Sequence, residues 1–194
     1  MSGAPTRRLF FALWPDEAQR AALFHSARKV LRSCGGRPVP LENLHVTLAF
    51  LGAVPGARLE ELRAIAGGVA GRFPPEAAPL VLTFEPLVHF PQAQVLAVLA
   101  ASPEGRAPSG DARSLAATLT SETAAAGFTP DLKPFRVHVT VARKVMRAPP
   151  ARAIRAVEWT FDFFTLVESR THATGALYSV VESYALGGSE KLRT

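Results

Sequence analysis

LHVTLAFLG at 44–52 carries the unit His45-Val46-Thr47-Leu48, and VHVTVAR at 137–143 carries its echo, His138-Val139-Thr140-Val141. Both stretches are apolar and rich in β-branched residues, so each is predicted to be a β-strand. Side chains alternate between the two faces of a strand. His and Thr of each unit therefore point one way. Val46, Leu48 and Phe50, or Val137, Val139 and Val141, point the other way into a core. One imidazole and one hydroxyl then stand about 6–7 Å apart along each polar face. Two such strands set together would gather two His and two Thr around one small cleft.

The surrounding chain reads as alternating strands and helices. Arg7 to Trp14 (RRLFFALW) is predicted to be a buried strand after a disordered tail at 1–6. Pro15-Asp16 opens a helix whose apolar stripe is Ala21, Phe24, Ala27, Val30 and Leu31, stopped at Cys34-Gly35-Gly36. Ala57 to Arg72 repeats the helical spacing with Leu59, Leu62, Ile65, Ala66 and Val69. Leu80 to Phe90 and Gln94 to Ala101 form a hairpin about Pro91-Gln92. The turn-rich segment 102–110 (SPEGRAPSG) is the expected lobe boundary. A helix over Asp111 to Ala126 follows, and a loop at Pro130 to Pro134 delivers the strand of His138. Two long strands, Val157 to Ser169 and Ala176 to Leu186, close the chain. This order predicts an α+β fold in a single domain over 1–194. Its two pseudo-symmetric lobes of antiparallel sheet carry flanking helices. Each lobe supplies one His-x-Thr strand to the cleft between them.

Composition narrows the chemistry. A formal net charge of +6 favours an anionic partner, although a general bias toward Arg, Ala, Gly and Pro would give the same balance. The placing of the charge adds to the argument. Lys133, Arg136, Arg143, Lys144, Arg147, Arg152 and Arg155 bracket the second unit with no acidic residue among them. The lone Cys34 excludes an internal disulfide and fits a reducing cytoplasm. Met1 to Arg8 lack the features of a secretory signal, and no apolar run approaches the roughly 18–20 residues of a membrane span. The sequence contains no zinc-spaced His/Cys cluster, HExxH, phosphate-binding loop or dinucleotide glycine motif. No metal or cofactor is therefore expected.

Two histidines across a phosphate can do acid–base work in both directions, because imidazole titrates near neutrality. One takes the proton of the attacking oxygen while the other gives a proton to the leaving oxygen. Thr hydroxyls can donate hydrogen bonds to the non-bridging oxygens. A single His-x-Thr is commonly structural; two copies, both in strands, point to a shared site.

The pair HVTL and HVTV resembles the signature of the two-histidine phosphoesterases. The wider context is similar to the RNA 2′,3′-cyclic phosphodiesterase branch, also called 2′-5′ RNA ligases. RLFFAL at 8–13, ENLHVTLAFLG at 42–52, RVHVTVAR at 136–143 and LVESRTHATGALY at 166–178 occur in that branch's order. Val137 and Val141 depart from the usual Pro and Leu, and both keep an apolar character. The resemblance implies hydrolysis of a 2′,3′-cyclic phosphate RNA end to a 2′-phosphomonoester, with minor 2′-5′ ligation when an RNA 5′-hydroxyl replaces water. It assigns His45 as proton donor and His138 as proton acceptor, a choice that the symmetry of the motif cannot make. It gives Thr47 and Thr140 to the phosphate oxygens. The resemblance also implies Arg143 as a further phosphate contact, although strict alternation would turn it to the core with Val141. A monomer is expected, since one chain already supplies both units, acting on RNA in the cytoplasm with no membrane association. The alternatives are a phosphodiesterase for a small cyclic nucleotide, such as an ADP-ribose cyclic phosphate, and a non-catalytic nucleotide- or RNA-binding module.

The remaining candidates read as structural. His25 lies mid-helix and His89 at a strand end. His172 falls in the last turn, where a substrate contact is conceivable. Phe10, Trp14, Phe50 and Phe90 could stack on a nucleobase, but large apolar residues in strands usually belong to a core.

Overall fold

The computed structural model describes residues 5–73, 79–101, 110–131, 134–172 and 175–186. The expectations for 1–4 and for 102–109, and the placing of Lys133, lie outside the described residues. Nine strands form one sheet among these residues. They are β1 (Thr6–Leu13), β2 (Arg37–Pro38), β3 (Val46–Pro55), β4 (Leu80–Phe90), β5 (Val95–Ala100), β6 (His138–Arg143), β7 (Ala153–Phe161), β8 (Phe163–His172) and β9 (Gly175–Ala185). Three helices pack on the sheet: α1 (Glu17–Ser33), α2 (Leu59–Ala70) and α3 (Gly110–Ala125). Thr6 is thus already in a strand rather than in a tail.

The strand order is β7-β4-β5-β6-β3-β1-β8-β9, with the short β2 attached to β6. The pairs are antiparallel. The centre of this order is the junction of β6 and β3, the strands of the two His-x-Thr units. They meet through one residue pair, Val46 with Val139. Four strands lie on each side of it, so the two lobes are halves of one continuous sheet. The pseudo-two-fold passes between Val46 and Val139, the corresponding residues of the repeated motif.

The lobes are interleaved in sequence, which corrects the expected boundary at 102–110. The strands on either side of that segment, β5 and β6, are sheet neighbours, with Val98 opposite Val139. The crossing lies elsewhere. Val157 to Ser169 is two strands, because the chain bends at Asp162 and passes from β7 at one edge to β8 beside β1. Only one residue separates strands so far apart in the sheet order, so the sheet must curl to bring them together. Leu186 N–H donates to the Asp162 carbonyl at 2.7 Å and fixes the corner.

Helix α1 starts at Asp16, whose carboxylate accepts from the Gln19 backbone N–H at 2.7 Å. The Gln19 side chain in turn accepts from Asp16 N–H at 3.0 Å. This reciprocal cap satisfies donors that the first turn leaves unpaired. The buried stripe of α1 is Leu23, Ala27, Val30 and Leu31; Ala21, expected inside, is exposed. The helix docks on β7, where Trp159 Nε1 donates to the Gln19 carbonyl at 2.8 Å. Helix α2 buries Leu62, Ala66 and Val69, and α3 buries Leu115 and Leu119, as their spacing predicts. The main core joins these helices to Leu9, Phe11, Leu13, Val46, Leu48, Val139 and Val141 on one sheet face. A small second cluster of Phe10, Ala12 and Val167 lies apart from it, packed by Trp14, Phe50 and Tyr178.

Candidate active site

The fourth residue of each repeated unit is a β-bulge. Across from β1, Ala12 pairs with Thr47 and Phe11 with Ala49, which leaves Leu48 as the extra residue. Across from β5, Ala97 pairs with Thr140 and Leu96 with Ala142, which leaves Val141 extra. A bulge puts two residues against one and resets the alternation beyond it. Both Leu48 and Ala49, and both Val141 and Ala142, are therefore buried in the core. The residue five positions after each His returns to the cleft face. In β3 this is Phe50, which strict alternation had placed in the core; it is half-buried and lines the cleft. In β6 it is Arg143, which the same bulge carries out of the core and into the cleft lining.

His45, Thr47, His138, Thr140 and Arg143 are all brought together on one cleft of about 730 Å³. With Val46 opposite Val139, His45 faces Thr140 and His138 faces Thr47. Diagonal neighbours across such a pair lie on the order of 7–8 Å apart, room for one phosphate between the two imidazoles. The rings are held alike. His45 Nδ1 lies 2.7 Å from the Asn43 carbonyl, and His138 Nδ1 lies 2.7 Å from the Arg136 carbonyl, each two residues upstream. A carbonyl oxygen can only accept, so each Nδ1 carries a proton and donates it. That leaves Nε2 of each ring to exchange protons. Thr47 Oγ1 sits 3.1 Å from His45 Nε2.

The two histidines differ in their surroundings. His45 is walled by Phe10 (5.0 Å between ring centroids), by Trp14 stacked at 5.4 Å and by Tyr178 edge-on at 5.2 Å. Burial pushes its imidazole down to about 4, against the pull of the hydrogen bond to Asn43, and the positive charges of Arg143, His138 and Arg20 push the same way. Arg20 lies behind Trp14, with its guanidinium 4.9 Å from the ring centre, and donates to the Leu44 carbonyl at 3.2 Å. Among the described residues, one aromatic ring neighbours His138, Phe90 at 6.0 Å between ring centroids.

Of the four aromatics expected in the core, Phe10 is buried in the small second cluster and still touches the His45 ring, whereas Trp14, Phe50 and Phe90 are half-buried, as ring neighbours of the histidines or as cleft lining. Tyr178, Arg8, Arg37, Lys144, Ser169 and Thr171 also line the cleft, and spacing in the sequence did not single them out. The signal for Ser169 and Tyr178 was the closing segment LVESRTHATGALY, which contains both. Arg37 arrives on β2, a strand too short for periodicity to detect. Of the basic run, Arg143 and Lys144 line this cleft, whereas Arg147, Arg152 and Arg155 lie exposed elsewhere. His89 is structural, with Nε2 2.8 Å from the Val145 carbonyl. His25 and His172 are exposed and outside the cleft lining. Among the described residues, no group of three or more His, Cys, Asp or Glu side chains is placed to hold a metal ion.

A paired His-x-Thr cleft on the axis of a two-lobed antiparallel sheet defines a phosphoesterase of the two-histidine type. The model of the 2′-5′ RNA ligase superfamily matches residues 14–173, and the chain belongs to that family. Among curated relatives, it is 34% identical over 185 residues to the RNA 2′,3′-cyclic phosphodiesterase of Thermus thermophilus, covering 93% of this chain and 91% of that one. It is 29% identical to the protein of the same name from Escherichia coli, covering 93% and 97%. Among solved structures, E. coli LigT complexed with 3′-AMP superposes with a TM-score of 0.79 at 27% identity, covering 93% of this chain and 98% of that one. The T. thermophilus protein TT0787 gives 0.75 at 31% identity, covering 94% and 100%.

Proposed function

We propose that this protein hydrolyses the 2′,3′-cyclic phosphate at an RNA end to a 2′-phosphomonoester, using its two histidines as acid and base. The observation that carries this reading is the matched pair of imidazoles. Each Nδ1 is committed to a carbonyl, and the two rings flank one cleft across the pseudo-two-fold. His138 Nε2 takes the proton of the attacking water. His45 Nε2 gives a proton to the departing 3′ oxygen. The Thr47 and Thr140 hydroxyls donate to the non-bridging oxygens, and Arg143 offsets their charge. Thr47 Oγ1 is held toward His45 Nε2; turning to the phosphate frees that nitrogen.

The donor role asks His45 to carry a proton that its burial and the nearby positive charges disfavour. An anionic phosphate seated beside Arg143 counters the positive charges that depress the imidazole, and so raises its affinity for a proton. Substrate binding thus arms the acid. The curated relatives carry the name of this activity. The cationic rim of Arg8, Arg37, Arg143 and Lys144 favours an RNA chain over a small cyclic nucleotide. The protein is proposed to act as a monomer, since one chain supplies both units, and in the cytoplasm, where its buried thiol Cys34 stays reduced.

The test is product analysis on an oligonucleotide ending in a 2′,3′-cyclic phosphate. The expected product is the 2′-phosphate. His45→Ala and His138→Ala should each lower turnover by about 10²–10⁴. A 3′-phosphate product, or full turnover in the double variant, overturns the proposal. Faster, salt-insensitive turnover of a cyclic mononucleotide would assign the small substrate instead.

A further inference from the structure

We infer that Arg20 is a positioning residue for the acid: without lining the cleft, it fixes the His45 imidazole through Trp14 and through the Leu44 carbonyl. This rests on the proposed chemistry, in which His45 donates the proton. Arg20 lies near the start of α1 and is not part of the cleft lining. Two contacts of its guanidinium lead to His45. The group lies over the Trp14 indole, 4.9 Å from the ring centre, and that indole stacks on the imidazole at 5.4 Å between centroids. Its Nε donates at 3.2 Å to the carbonyl of Leu44, the residue before His45.

The setting of Arg20 is an expensive one. The side chain is half-buried, and its Nη2 is shut off from solvent with no hydrogen-bond partner. Burial lowers its pKa from the usual value, against the pull of Asp16, Glu42 and Glu17. Among the described residues, none of these carboxylates forms an ion pair with it. A buried cation without such a partner destabilises a fold, so an apolar side chain of similar volume would serve packing at least as well. A guanidinium supplies what that side chain cannot: a plane that lies on the indole and an N–H donor held rigidly in the plane. Trp14 stands one residue beyond the end of β1. The two contacts tie it to the segment that enters β3.

The base is supported more loosely. Phe90, beside His138, is met by Arg136, but that guanidinium is exposed and lies 5.6 Å from the ring centre. The difference matches the two roles. A base takes its proton from a water, which can adjust its position. The acid must meet an oxygen that the ribose holds in place, so its own orientation has to be set by the protein.

Charge and position act on the rate with opposite signs, which separates them. The charged groups that act on His45 are Arg143 and His138 from β6 and Arg20 from α1, and all three lower its affinity for a proton. Removing the Arg20 charge alone would bring His45 closer to the working pH and quicken proton transfer. Losing the hold on the ring slows it, because a displacement of about 1 Å can cost on the order of 10² in rate.

The experiment compares Arg20→Gln and Arg20→Lys with the wild type, by kcat and KM on the cyclic-phosphate oligonucleotide and by the histidine ring-proton resonances in alkaline buffer, where protonation does not contribute. Both variants should lose kcat by roughly tenfold, with KM within about twofold of the wild type. The His45 resonances, which the stacked indole shifts upfield, should move downfield in both, while those of His138 stay. Circular dichroism reports folding. Arg20→Lys keeps the charge but neither the plane nor the fixed donor, and it decides the matter if Arg20→Gln does not fold. Faster turnover in Arg20→Gln beside unchanged turnover in Arg20→Lys means that the residue acts through charge alone, and overturns the inference. Unmoved His45 resonances in a folded variant overturn it as well. A wild type that consumes no cyclic phosphate removes the hydrolytic reading, and the resonances then still decide whether Arg20 holds the ring.

Discussion

His45 and His138 make the same hydrogen bond to the backbone, yet their settings separate them. Around His45 the depressing influences are burial and nearby positive charge, so removing charge must move the imidazole upward. Arg143→Ala should raise the His45 pKa above its value of about 4, and a nucleoside 2′-monophosphate should raise it in the intact protein. Both shifts are readable from the ring-proton resonances in an NMR titration; a downward shift in either case would contradict the arming of His45 by phosphate. Stability carries the same sign. Folded His45 holds a proton less tightly than the unfolded residue, whose value is 6.5. Its contribution is therefore complete above about pH 6.5 and declines as the pH falls toward 4. His45→Gln should flatten that part of the pH–stability curve in thermal melts.

The elements that carry these side chains were legible to different depths. The strands of both units, the start of α1 at Pro15-Asp16 and the β4–β5 hairpin follow from local pattern, because alternation and helix initiation are local physics. Phe50 and Arg143 did not follow, since a bulge is decided by the partner strand and leaves no trace in the alternation of its own. The tenancy of α1 on β7 was equally hidden, because it depends on a pairing across the whole chain. Another element-scale dependence concerns β2. A Cβ on Gly36 would lie 2.5 Å from Val145 Cγ2 and 2.7 Å from the Arg143 carbonyl, so β2 can lie against β6 only with glycine there. Gly36→Ala should cost about 1–3 kcal/mol in denaturant unfolding. It should also raise KM more than it lowers kcat, because Arg37 and Arg143 pair across this contact while both histidines stay in place.

At the scale of the whole molecule, the sequence displayed a repeat but not how its halves are wired. The lobe that contains β3 draws β1 from one end of the chain and β8 and β9 from the other, while the middle of the chain builds the second lobe. Cutting the chain within 102–109 should therefore yield two fragments that are each unfolded alone and regain helix and sheet only when mixed. Circular dichroism of the separate and combined pieces checks this; an independently folded fragment would contradict the interleaved wiring.

The pairing of β1 with β8 also sets a timetable for the newborn chain. The apolar stretch LFFAL leaves the ribosome early and acquires β3 on one edge. Its other edge waits for residues near 166. At about 5–20 residues per second, that edge stays open for roughly ten to thirty seconds, a template for unwanted strand pairing. Arg7 and Arg8 stand at its head during that interval. In the finished protein Arg7 closes on the buried Glu168 at 2.7 Å, so a charge that guards the unpaired strand ends as the latch on its last partner.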